Sequence, residues 1–165
     1  MNTTQKKHES ILLVEDSPDI LEILVDSVSD HFDKVYTASN GQDALTIAKE
    51  KNVYFIITDI NMPQMSGTDF VTNLRALGNH APILFLTGEG KKDVFLSAVR
   101  LGICDVIEKP FKVPELLKSI ERAIEIEKRK EAISRLEATQ PEDPSVAKEK
   151  KMLGLLQAVS NKKTG

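Results

Sequence analysis

The chain of 165 residues has no tryptophan, one cysteine and only 5% aromatic residues. Cys104 alone cannot make an internal disulfide, and the opening MNTTQKKHES has no apolar stretch of the kind a secretory signal needs. No apolar run approaches the ~20 residues of a membrane helix. Neither sign of charge dominates, since 22 Lys and Arg face 25 Asp and Glu for a net charge of -3. That excludes the broad basic footprint of a nucleic-acid-binding protein. Low-complexity and Pro/Gly-rich tracts are lacking too. A soluble, cytoplasmic protein in a reducing environment is expected. Its 41% hydrophobic content suffices for one ordinary core and a modest appendage.

What is present is alternation. Short β-branched or apolar runs fall at residues 11–14, 34–37, 54–58, 83–86 and 104–107. Helical periods lie between them, such as Ile20, Leu21, Leu24 and Val28. Five βα units in a row predict an α/β fold, a parallel sheet with helices on both faces and right-handed crossovers. Asp16-Ser17-Pro18 has the composition of a helix start, and Asn40-Gly41 precedes a helical period. Gly78 and Gly102 stand where helices should stop. The short second run, charged at its start, suits a sheet edge.

The third run, VYFIITDINMP from Val53 to Pro63, ends a buried strand on a carboxylate, Asp59. In an open parallel sheet every strand's carboxyl end points to one rim, where ligands bind. Glu15-Asp16 end the first run, Asp59 the third, Thr87-Gly88 the fourth and Lys109-Pro110 the fifth. Three carboxylates, one hydroxyl and one amine are therefore expected to share a small pocket. Crowded like charges oppose ionisation, and one lysine does not balance three acids. A hard cation relieves this, and Mg²⁺ suits carboxylate and carbonyl oxygens. His8, His31 and His80 are scattered and make no zinc set with Cys104. With a cation bound, Asp59 is a candidate nucleophile toward phosphorus, with Thr87 and Lys109 placed to bond the added oxygens.

Glu15-Asp16, Asp59 with Met62-Pro63 and Gly67, Thr87-Gly88, and Lys109-Pro110-Phe111 occur in this order, each at a strand end. Together they resemble the receiver domain of bacterial two-component response regulators. The likeness covers residues 8–125 and leaves 126–165 as a helical extension with no DNA-binding domain. It implies a flavodoxin-like, doubly wound, five-stranded sheet ordered 2-1-3-4-5. It implies Asp59 as phosphoacceptor for a histidine kinase, a phosphotransfer protein or a small phosphodonor. Mg²⁺ would be held by Glu15, Asp16, Asp59 and the backbone carbonyl of Asn61, and Lys109-Pro110 would be a cis peptide, a form open to proline. Such a chain is a switch, not an enzyme, beyond catalysing its own phosphorylation and dephosphorylation. Its readout would be the surface of the fourth helix, fifth strand and fifth helix.

Two positions qualify the likeness. Where receivers usually carry a Tyr or Phe that swings inward, three residues before Lys109, this chain has Val106, with a short, stiff side chain. Asn61 and Glu89, two residues after Asp59 and Thr87, resemble the pairing of fast-resetting chemotaxis receivers. Two other classes share the residues. An aspartate-nucleophile phosphohydrolase would use the acid, metal and lysine, but has a second aspartate where Asn61 stands. A pseudo-receiver would keep the fold as a constitutive interaction scaffold without the chemistry. The run Thr87-Gly88-Glu89-Gly90-Lys91-Lys92 does not make a P-loop, since no Ser or Thr follows the lysine pair as required.

Downstream, residues 115–138 read as one long helix. Val113, Leu116, Leu117, Ile120 and Ile124 share one side, whereas Ile126, Ile133 and Leu136 point nearly opposite, so the helix serves two partners. Residues 139–144, TQPEDP, break it. A short additional helix follows, for which Ser145 is a candidate cap, with Met152, Leu155, Leu156 and Val159 on one side. This extension could fold back, form a homodimer through the C-terminal helix or contact an unidentified protein target, or fray. Neither nucleic acid nor membrane insertion is expected of it.

Overall fold

The computed structural model describes residues 8–88, 90–140 and 142–162. Among these residues five strands alternate with five helices and a sixth helix follows: β1 (His8–Val14), α1 (Pro18–Val28), β2 (Phe32–Ala38), α2 (Gly41–Glu50), β3 (Phe55–Asp59), α3 (Gly67–Ala76), β4 (Ile83–Thr87), α4 (Lys91–Leu101), β5 (Asp105–Glu108), α5 (Val113–Thr139) and α6 (Pro144–Lys162). All strand pairs are parallel and the sheet order is β2-β1-β3-β4-β5. This is the flavodoxin-like order expected from the sequence. Two compact units divide the chain, Met1–Leu117 and Lys118–Gly165.

In the first unit, β3 and β4 are buried at every position, which is why both read as unbroken apolar runs. Leu12, Val14, Ile56, Phe85 and Val106 belong to a core shared with Phe70 and Leu74 of α3 and Val94 and Ala98 of α4. Their neighbours along the strands, such as Ile11, Leu13, Phe55 and Ile57, are just as buried on the opposite face, as the two-residue period of a strand requires. β2 is longer than the expected run of 34–37, reaching from Phe32 to Ala38. Phe32, 1% exposed, anchors its start and is the register partner of His8.

Helix starts follow local chemistry. Asn40 caps α2 by accepting the Asp43 N–H at 2.9 Å, so Asn40-Gly41 opens a helix and not a hairpin. Ser66 does the same for α3, accepting from the Asp69 N–H at 3.1 Å. Gly102 ends α4 in the left-handed region, with φ of 64°.

The second unit is a helical hairpin. Arg129 of α5 holds Glu149 of α6 at 2.8 Å and Glu125 one turn back at 3.0 Å, while Glu137 pairs with Lys150. Ile126 and Ile133, on the same side of α5 as Arg129, are buried, as is Val146 of α6. The second partner of α5 is thus α6 of its own chain. Ser145 does not cap α6. Asp143 does, its Oδ1 accepting the Ser145 N–H at 2.7 Å, because Pro144 is suited to the first helical position and puts the cap two places earlier. That bond holds the Asp143 carboxyl below its ordinary value.

Candidate functional site

Two strand ends and two loops meet at the carboxyl rim of the sheet. Asp59 is the last residue of β3 and Thr87 the last of β4, while Glu15 and Asp16 follow β1 and Lys109 follows β5. The register pairs Asp59 with Leu86 and Thr87 with Glu108, which sets Thr87 one step beyond Asp59 and beside Lys109. The Lys109 N–H also donates to the Thr87 carbonyl at 2.7 Å. Carboxylate oxygens of Glu15, Asp16 and Asp59 all lie within 4.8 Å of one another.

The two adjacent acids after β1 take different places. Glu15 is 1% exposed and Asp16 lies in solvent. Glu15 accepts the Ser17 N–H at 3.2 Å, and Ser17, not Asp16, occupies the cap position of α1. Lys109 bridges the buried pair, with Nζ 3.1 Å from Glu15 Oε2 and 3.2 Å from Asp59 Oδ2. Asp59 is 3% exposed, and its other oxygen, Oδ1, is buried with no hydrogen-bond partner among the described residues. Thr87 is fully buried. Asn61 is exposed in the loop after β3. Val106 is buried and lies opposite Phe85 in the register. Lys109-Pro110 is cis. Glu89 lies outside the described residues.

Charge and burial oppose each other here. Burial raises the Glu15 carboxyl above its ordinary 4.5, the Ser17 hydrogen bond offsets part of this, and the nearby Asp59 charge adds to the rise. For Lys109, burial alone would lower the ammonium. Hydrogen bonding to Glu15 and the charges of Asp59 and Glu15 outweigh it, and the net shift is upward from 10.5. A raised folded-state value means that the lysine's contribution to stability is complete below pH 10.5 and is lost as pH rises through the shifted value. Lys109→Met should therefore cost about 3 kcal/mol at neutral pH, because it leaves two buried carboxylates unpaired. It should also remove this component of alkaline destabilisation. Urea unfolding of both proteins between pH 7 and 12 checks this, and parallel curves would refute it.

One positioning residue carried no role in the sequence reading. A Cβ on Gly67 would stand 2.0 Å from the Asp59 carbonyl oxygen, so only glycine lets α3 begin against the end of β3. The proximity of Gly67 to Met62-Pro63 was the one available signal.

A flavodoxin-like sheet that gathers an acidic trio, a hydroxyl and a lysine on one rim defines a class, the CheY-like receivers. The chain belongs to the response regulator receiver domain family, which matches residues 11–121. It is 31% identical to chemotaxis protein CheY-3 of Vibrio cholerae over 128 residues, covering 76% of this chain and 98% of that protein. The solved structure of V. cholerae CheY4 superposes with a TM-score of 0.66 at 32% identity, over 70% of this chain and 98% of the other. Response regulator TrrA of Thermotoga maritima, solved in complex with Mg(2+)-BeF, gives 0.62 at 28% identity, over 70% and 98%. Receivers of this type are signalling proteins and not classical enzymes. No helix among the described residues is long and apolar enough to cross a membrane.

Proposed function

We propose that this chain is a phosphorylation-switched receiver that accepts a phosphoryl group on Asp59 and signals through protein contacts. The observation that carries the reading is the state of the Asp59 carboxylate. Lys109 holds one oxygen, and the other is buried without a hydrogen-bond partner among the described residues, beside two further acids. An acceptor atom in that position lacks the hydrogen bond that buried polar groups ordinarily make, and coordination to a cation would compensate for it.

The donor set fits Mg²⁺, which prefers oxygen ligands and takes one or two carboxylates together with phosphate oxygens. Glu15, Asp16, Asp59 and the Asn61 carbonyl would hold it. Bound there, it would neutralise charge developing on the transferred group. The relative TrrA, solved with Mg(2+)-BeF, supports this choice of metal. An Asp59 oxygen attacks phosphorus; the new P–O bond forms as the donor's bond to phosphorus breaks, and the electron pair leaves with the donor. For a phosphohistidine donor, on a histidine kinase or a phosphotransfer protein, that pair returns to the imidazole nitrogen. Lys109 and the Thr87 hydroxyl bond the added oxygens, and water is kept from the buried side of Asp59.

The new group brings about -1.5 to -2 charges to a rim where Thr87 ends a rigid strand. Turning Thr87 toward it biases the loop that follows and the start of α4. Phe95, Leu96 and Val99 are 47%, 69% and 62% exposed on α4, a surface suited to a downstream protein target. In this reading residues 8–125 form the switch and 126–165 the helical extension. Treatment with a small phosphodonor and Mg²⁺, followed by mass spectrometry, should map one acyl phosphate to Asp59 and show none with a chelator. A label elsewhere, or one unaffected by chelation, refutes the assignment.

A further inference from the structure

α6 has a side that the hairpin leaves open. Met152, Leu155 and Val159, at i, i+3 and i+7, are 39%, 56% and 52% exposed and fall in one stripe. Lys148 and Lys151 border the N-terminal half of that stripe. Both are exposed and in no ion pair among the described residues, whereas Lys150 is held by Glu137. The face is thus apolar along its middle and positive at one end. It has no aromatic anchor of the kind a membrane-surface helix uses. A second α6 does not complement it either, because Glu149, the one acid of the helix, holds Arg129.

The complementary face is on this same chain. α1 exposes Asp19, Glu22 and Asp26 at the same i, i+3, i+7 spacing, with no basic residue on the helix. None of the three is in an ion pair among the described residues, and Ile23 beside them is 48% exposed. Laid antiparallel, Asp26 falls opposite Lys148, Glu22 opposite Lys151, and Ile23 beside Met152. We propose that the outer face of α6 docks on the α1 face of a second copy of this chain. Two such contacts, one in each direction, would make the pair two-fold symmetric. The contact is independent of Asp59 and of any phosphoryl group.

Sedimentation velocity on the full chain tests this across concentration. The protein should sediment as a dimer at ~50 μM. K148E/K151E and E22K/D26K should each weaken association at least about tenfold, and combining all four changes should restore it to within about threefold of wild type. L155E should abolish it, with circular dichroism checking that the helices persist. A monomer at every concentration up to ~1 mM overturns the proposal. So does a dimer indifferent to either charge reversal, or a combined variant that associates no better than its parents.

Discussion

Asp59→Asn should abolish acyl-phosphate formation, lowering the labelling rate by more than about 10³-fold, the scale seen when an enzyme loses its nucleophile. The amide keeps the shape of the carboxylate but not its charge, so the nucleophile disappears while the space stays filled. Stability should move little by comparison. The substitution removes one charge facing Lys109, and at the same time removes the Asp59 contribution to the raised Glu15 value. These effects have opposite signs. Labelling with a small phosphodonor and Mg²⁺, read alongside thermal melting, separates lost chemistry from lost fold. An Asp59→Asn protein that melts normally and still labels at the wild-type rate would remove the acceptor role from this residue. A wild-type protein that never labels, with small donors or with kinases, would favour a scaffold that keeps the fold alone.

Gly67→Ala should destabilise the protein by at least about 4 kcal/mol, among the larger costs of a single added methyl group. The new Cβ would stand 2.0 Å from the Asp59 carbonyl oxygen and 3.0 Å from the Ile60 Cα. Both are backbone atoms, so no rotamer change relieves the clash. Either the first turn of α3 or the end of β3 must move, and the second carries Asp59 with it. The Gly67 N–H also donates to the Ile60 carbonyl at 2.9 Å, a bond that either movement stretches. Urea unfolding measures the cost. Gly88→Ala is the control, since nothing lies within 4 Å of its Cβ position, and it should stay within about 1 kcal/mol of wild type. An alanine at position 67 with an unchanged urea midpoint would show that the junction has slack.

The sheet was legible because its strands are buried on both faces. A run such as FIITD has few alternatives once its length and its final acid are considered together. The gathering of Glu15, Asp59, Thr87 and Lys109 followed from parallel topology alone, since strand ends converge whatever their loops do. The different placements of Glu15 and Asp16 did not follow. Past the last strand residue the two-residue alternation stops applying, and a backbone N–H from Ser17 decides which acid turns inward. The role of Gly67 was hidden for another reason, because a close approach between two backbones leaves no periodic trace. At α6 the expected cap, Ser145, lay two places too late, because the preference of Pro144 for the first helical position makes Asp143 the cap. The apolar face of α5 that changes sides was visible, but its partner was not. Pairing with α6 and pairing with another chain require the same residues, Ile126 and Ile133.

The 2.7 Å bond from the Lys109 N–H to the Thr87 carbonyl sets where motion can begin. It fastens the tip of β4 to the residue just past β5, so hydroxyl and ammonium are mounted on one fixed fulcrum. In the proposed switch, a turn of the Thr87 side chain would leave this backbone tie in place. One residue later Gly88 is exposed and nothing crowds its Cβ position, so this tie is the last backbone restraint between the two strands on that rim among the described residues.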